Sequence, residues 1–342
     1  MRDILTVANA QRYAALGDAT FDDAGQVVTT LRRMATSGML SSTHRRGTRM
    51  RERCESLCAV AALDLSLVRL LEGHLDAQGI LEEAGGSLRE DQLYGVWAAE
   101  APGAAVVAER AGSSWRLQGR KRYCSGATGL DRALITARAP DGARLFDVGL
   151  KVPGVTPLPG SWPAVGMAGS GSLDVTFDLL VSDTAEVGAP GFYLSRPGFW
   201  HGAVGVAACW LGGALGCARM LQSRFSVLRP DDHAVAHFGA IVSECYAMGT
   251  VLEHAAREID VAEAEGSEDS GARERALLVR QVIEQGCQRV LSATGRASGS
   301  SPLAFDAAHA RRAADLILYL RQHHAERDLV ALAQLKLEPS SS

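Results

Sequence analysis

Up to about residue 92, apolar positions recur at helical spacing, as in Leu63, Leu67, Leu70 and Leu71, with glycines at the segment ends. From about Val96 to Val187 the period changes to two. Phe146, Val148, Leu150 and Val152 alternate with polar or small residues, and so do Leu173, Val175, Phe177, Leu179 and Val181. With Gly and Pro turns at 140–142, 153–163 and 169–171, this pattern predicts an antiparallel sheet with one buried face. After Pro190 and Pro197 the helical period returns and predicts four long helices over 200–223, 232–264, 271–294 and 305–335. The first is crowded with small residues, including Gly202, Gly205, Gly212, Gly213 and Gly216. Such a helix has poor intrinsic propensity and persists only where others pack closely on it, in a bundle interior or at a subunit interface. The expected organisation is an α+β fold: a helical N-terminal domain (1–92), a middle antiparallel β domain (93–190) and a C-terminal four-helix bundle (191–342).

Composition narrows what such a chain does. Of 342 residues, 47% are hydrophobic, enough for a large core. No run approaches the roughly 18 to 20 uninterrupted apolar residues of a membrane span, so no membrane partner is expected. The N-terminal stretch MRDILTVANAQRYAAL mixes charges into its apolar positions, unlike a secretory signal, and the expected compartment is cytoplasmic. A formal net charge of −4 gives no general attraction to nucleic acid. The basic cluster HRRGTRMRER (44–53) reads as a solvated loop or helix face. Cysteines 54, 58, 124, 209, 217, 245 and 287 show no CxxC pairing and are expected as buried free thiols. No GxGxxG opening a βα unit, no P-loop, no HExxH and no GxSxG occurs. The adjacent His323 and His324 cannot face one another on a helix, which argues against a metal pair.

The stretch WRLQGRKRYCSGATGLDRALIT (115–136) runs an alternating pattern into two cations, an aromatic and the trio Cys124, Ser125 and Gly126. Alone it fits either a surface hairpin or a strand that holds a flat ligand edge-on beneath a hydroxyl. Its SWRLQGRKRYCSGA segment resembles the strand W-x-(I/L)-x-G-x-K-x-(W/Y)-(I/C)-(S/T) of the acyl-CoA dehydrogenase superfamily of flavoproteins. WAAEAPG (97–103) is similar to that family's T-E-P-G loop, with Glu100 and Gly103 retained, and VGMAGSGSLDVTFDLLVSD (165–183) to its next strand. The resemblance implies an FAD cofactor, with Tyr123 shielding the flavin ring, Ser125 hydrogen-bonding near its N5, Cys124 between them, and Glu100 on the pyrimidine edge. It also implies an arginine, Arg224 or Arg229, and a Gly-rich turn in VLSATGRASG (290–299), with Thr294 and Gly295 at the family's glycine pair, for the adenosine and pyrophosphate. A homodimer or homotetramer follows, because the family's FAD site crosses subunits.

The reaction implied is α,β-dehydrogenation of an acyl thioester, with electrons passed to an electron-transfer flavoprotein. It needs a base for the α-proton, normally a buried glutamate. The family's terminal helix aligns with ARRAADLILYLRQHHAERD (310–328) and puts His323 or His324 where that glutamate stands. His323, with an ordinary pKa of about 6.5, is one candidate base; Glu244, Glu253 and Glu326 are others. Flavin-dependent monooxygenases on the same scaffold lack the carboxylate and use histidine, and a noncatalytic family member is the third reading. For a CoA phosphate the sequence offers only Arg45, Arg46, Lys121 and Arg122. His74 in LSLVRLLEGHLDA (65–77) reads as an interdomain packing or hydrogen-bonding residue, and Trp200 beside His201 as a partly buried aromatic cap.

Overall fold

The computed structural model describes residues 23–40, 49–266 and 269–337, with Tyr13, Leu16 and Phe21. Arg45 and Arg46 lie outside the described residues. Among the described residues, α1 (Ala24–Thr36), α2 (Met50–Ala61) and α3 (Leu65–Glu83) precede the sheet. Asp23 and Asp64 start α1 and α3 by accepting from the amides of Gln26 (2.9 Å) and Leu67 (2.8 Å), which satisfies first-turn donors that have no partner within the helix. α1 buries a single stripe, Val27, Val28, Leu31 and Met34. α3 is buried on nearly every side, charged residues included.

Seven strands follow: β1 (Tyr94–Trp97), β2 (Val106–Ala111), β3 (Ser114–Cys124), β4 (Arg132–Ala139), β5 (Gly142–Gly149), β6 (Val155–Leu158) and β7 (Leu173–Ser182). Their order is β1-β4-β2-β3-β7-β6, with β5 also paired to β4. The sheet is mixed rather than antiparallel. β1 runs parallel to β4 from Tyr94↔Arg132 to Trp97↔Ile135, and β2 meets β4 in parallel at Val107↔Arg138, while the other pairs are antiparallel. Period-two alternation reports which face is buried and says nothing of strand direction.

Within β3, Trp115, Leu117 and Lys121 point inward until the register to β7 shifts between Lys121 and Cys124. At this bulge Tyr123 adopts φ +61°, a left-handed conformation that a bulky residue takes only when its surroundings impose it. The bulge turns Tyr123 outward, 49% exposed, and drops Cys124 into the core. Gly119, with φ +136°, brings β3 so near the preceding loop that an added Cβ would lie 2.1 Å from the Ala105 carbonyl oxygen.

After the short α4 (Phe192–Ser195) come α5 (Gly198–Val227), α6 (Asp232–Glu265) and α7 (Ala272–Ser298). The small residues of α5 serve close approach: a Cβ on Gly212 would sit 2.5 Å from the Cys58 carbonyl of α2. α5 and α6 are each long and apolar enough to cross a membrane; 83% of that stretch of α5 is buried inside the protein, against 22% for α6. All seven cysteines are free and buried. After α8 (Ser301–Phe305), the segment expected as one helix over 305–335 is instead broken into α9 (Ala307–Tyr319), a 3₁₀ turn at Leu320–Gln322 and α10 (Glu326–Leu337). His323 is extended and Ala325 has φ +49°. Likewise VLSATGRASG forms no Gly-rich turn: α7 runs through Ser298 and reverses only at Gly299, whose amide still donates to Gly295 O (2.9 Å).

Candidate active site

α3, the end of β1, the β3 bulge, the loop before β7, the start of α5, α7 and the break after α9 enclose a cavity of about 760 Å³, a volume suited to a cofactor-sized ligand. Tyr123 and Trp162 stand edge to face on its rim, 6.1 Å between centroids. Trp97 forms part of the wall and donates its indole N–H to Ser125 O (3.0 Å).

Beside them lies a chain of three hydroxyls. Ser170 donates to Met167 O (2.7 Å), and the hydroxyls of Ser170 and Ser172 (2.7 Å) and of Ser172 and Ser125 (2.8 Å) are in contact. With the Ser170 proton committed to a carbonyl, Ser172 must donate to Ser170 and Ser125 to Ser172. Ser125, which lines the cavity, therefore presents lone pairs to it. The loop that carries this chain is tied to α9 by Met167 N–H donating to Asp315 Oδ1 (2.5 Å).

The α3 wall is charged. Arg69, Glu72 and Asp76 stand three and four residues apart and so share one face. Arg69 donates to Glu72 (2.5 Å), and the buried Arg196 to Asp76 (2.8 Å) and Glu83 (2.9 Å). Burial pushes the Glu72 carboxyl up, against the pull of Arg69. These cavity-lining residues were passed over in the reading of LSLVRLLEGHLDA, which singled out His74. The signal was Arg69, Glu72 and Asp76 on one face of a helix whose first three turns are otherwise mostly apolar. His74 itself accepts from Tyr94 N–H (3.2 Å) and ties α3 to β1, the packing role expected of it.

On the opposite wall, His324 and Asp328 line the cavity, with His324 Nδ1 3.2 Å from Asp328 Oδ1. His323 does not line the cavity, and its Nδ1 lone pair accepts from Ala325 N–H (3.1 Å), which leaves the proton on Nε2. Burial, then Arg280, lowers its pKa, against the pull of Asp328 and Glu284. Glu244 is also misplaced for a base. It is held bidentately by Arg289 (2.7 and 2.9 Å) across the outer faces of α6 and α7, away from the cavity. Glu253 and Glu326 are exposed.

Glu100 does lie at the cavity mouth, bonded to Arg138 (2.6 Å), whose hydrogen bond lowers its pKa. Cys124 is fully buried, directs its thiol to Lys121 O (3.5 Å) and does not line the cavity; the bulge puts its neighbours there instead. Arg224 and the exposed Arg229 sit beyond the cavity at the far end of α5. Thr294 is buried inside α7 and Gly295 is helical, so their amides belong to helix hydrogen bonds. Lys121 is buried with Nζ on Thr136 O and Oγ1 (2.7 Å each), and Arg122 faces Asp174 (3.6 Å), so neither is free for a phosphate. Trp200 lines the cavity as a cap, while His201 turns away to Asp269 (3.0 Å).

This architecture superposes on TdsC, a dibenzothiophene monooxygenase from Paenibacillus sp. A11-2 solved with FMN bound, with a TM-score of 0.83, 17% identity and 99% of both chains covered. It superposes similarly on the methanesulfinate monooxygenase MsuC from Pseudomonas fluorescens (TM-score 0.80, 16% identity, 97% of both chains). A nitrososynthase from Micromonospora carbonacea var. africana gives 0.79 at 18% identity, covering 99% of this chain and 98% of that one. The chain has the acyl-CoA dehydrogenase-like fold. No protein-family model and no curated protein matches the sequence.

Proposed function

We propose that this protein is a flavin-dependent oxidoreductase, and specifically a monooxygenase that takes up reduced FMN from a partner reductase. One observation carries the choice of reaction: each carboxylate on the cavity wall already has a partner. Glu72 is held by Arg69, Asp76 by Arg196, Glu100 by Arg138, and Asp328 by His324. A dehydrogenase needs a carboxylate free to remove an α-proton, and the expected positions, His323 and Glu244, do not supply one.

The residues present fit a flavin. Aromatic Tyr123, Trp97 and Trp162 offer faces and edges for a flat ring. Ser125, left as an acceptor, matches the N–H that a flavin carries at N5 only when reduced. FMN is favoured over FAD because the pyrophosphate cradle expected at Thr294 and Gly295 is closed helix. When bound, reduced flavin supplies the two electrons that divide dioxygen between substrate and water. The chain's own part is to orient the ring through Ser125, to keep water out with the aromatic rim, and to hold a proton at the His324–Asp328 pair. Burial of Glu72 supports a second reading, acyl thioester dehydrogenation with Glu72 as base. Assembly as a homodimer or homotetramer fits the half-exposed Val235, Tyr246 and Val261 along α6.

The deciding experiment reconstitutes the protein with FMN and with FAD. Tighter FMN binding, oxygen consumption that requires reduced FMN, and no bleaching of bound flavin by acyl-CoAs under anaerobic conditions are expected. Anaerobic bleaching by an acyl-CoA, abolished in Glu72→Gln, would establish the dehydrogenase instead.

A further inference from the structure

The guanidinium of Arg280 differs from the other arginines on the cavity wall. Arg69, Arg196 and Arg321 each hold a carboxylate: Glu72, Asp76 with Glu83, and Glu284. Arg280 is buried, 8% exposed, and lines the cavity. Among the described residues no carboxylate oxygen lies within 4.0 Å of it. Among the described residues its hydrogen bond goes to Gln322 O (2.6 Å), and its plane rests over Trp210, 4.6 Å from the ring centroid. A guanidinium carries five N–H donors; Asp328 and Glu72 act on this one only through space, without an ion-pair contact, and a buried charge that lacks a hydrogen-bonded counter-anion costs several kcal/mol.

The bond to Gln322 and the stack on Trp210 fix the position of this cation and leave donors unspent. It is also the residue that holds the break before His323 in place. Apolar Leu277 on α7, with Val206, Ala203 and Trp200 on α5, lines the same cavity. A fixed fork of donors set in an apolar wall is the arrangement that recognises a carboxylate on an apolar body.

We propose that Arg280 anchors the substrate through a carboxylate, so that the substrate class is a small organic acid with an apolar or aromatic body. The inference rests on the oxidoreductase reading for the word substrate, but its test needs no flavin. Flavin-free protein is titrated with benzoate, benzamide and benzenesulfonate, with binding followed by calorimetry and by tryptophan fluorescence. Saturable benzoate binding is expected, with benzamide weaker by about ten- to hundredfold, the range for losing a charge-assisted hydrogen bond. Arg280→Gln should lose benzoate binding by a similar factor and Arg280→Lys should keep part of it, while Arg289→Gln, on the outer surface, leaves it unchanged. Circular dichroism and a melting curve on each variant establish that it is folded; if Arg280→Gln does not fold, the benzoate-to-benzamide ratio on the native chain decides.

Equal binding of benzoate and benzamide, absence of saturable benzoate binding, or undiminished benzoate binding by a folded Arg280→Gln overturns the proposal. Benzenesulfonate bound in preference to benzoate overturns the carboxylate in favour of a sulfur oxyanion. If Arg280→Gln weakens FMN but not riboflavin, the guanidinium holds the cofactor's phosphate and the proposal also falls. Failure of FMN binding, with Arg280-dependent benzoate binding intact, would sink the flavin reading alone.

Discussion

Asp315 offers a quantitative test of how the hydroxyl-bearing loop is held against the helices. Its side chain accepts the Met167 amide and is otherwise enclosed, with 1% of the residue exposed. Burial raises its pKa from the ordinary 3.8 to about 7, an effect that the Met167 hydrogen bond only partly offsets and that nearby Asp64 reinforces. An acid whose folded value lies above its unfolded one binds its proton more tightly when folded. Its contribution is therefore intact below the unfolded value and is lost as pH rises from about 4 to about 7, levelling off above. At about 1.4 kcal/mol per pH unit, the full interval corresponds to roughly 4 kcal/mol, and relaxation around the charged form lowers the expectation to about 2 to 4 kcal/mol. Asp315→Asn keeps the acceptor for Met167 and removes the titration. Urea unfolding at several pH values between 4 and 8 should show the wild type losing stability relative to the variant by that amount. Parallel pH profiles for the two proteins would refute the reasoning.

Three further outcomes follow from the geometry. Gly119→Ala should destabilise by about 3 kcal/mol or more, because its Cβ would collide with the Ala105 carbonyl at a φ closed to alanine; urea unfolding measures it. Ser125→Ala should weaken reduced FMN by about tenfold and oxidised FMN by less, since only the reduced ring donates at N5, and paired affinity measurements check the asymmetry. Glu244→Ala should cost less than about 1 kcal/mol, as a surface pair does, and should leave flavin-dependent turnover unchanged in steady-state assays.

Some of this was legible in the chain because short-range physics demands it. Gly212 and its small neighbours on α5 announce close packing, since nothing larger fits against α2. Tyr123 and Ser125 stood in a recognisable strand, and the structure puts both on the cavity. The break at His323 was not legible. Ala325, Glu326, Arg327 and Leu329 are good helix formers, and the chain leaves the helix where Arg280, 42 residues earlier, captures the Gln322 carbonyl. Arg280 was hidden for the same reason: in ARERALLVRQVIEQGCQRV it is one arginine among several, and only tertiary packing separates the buried cation from the solvated ones. The glycine at 295 misled because helix propensity is a weak prior that a packed bundle overrides.

The buried cysteines turn the molecule into a gauge of its own opening. Cys54 and Cys58 report from α2, Cys209 and Cys217 from α5, Cys245 from α6, Cys287 from α7 and Cys124 from the sheet. Burial pushes these thiols up, to about 11 for Cys217 and about 12 for Cys54 and Cys245, so a native chain offers an alkylating reagent almost no thiolate. Each sulfur reacts only when its own element parts from its neighbours. The order in which the seven are labelled therefore ranks the opening of the sheet against that of each helix, from a single mass spectrum per time point. The same burial keeps the sulfurs from an oxidant in solution until the fold opens.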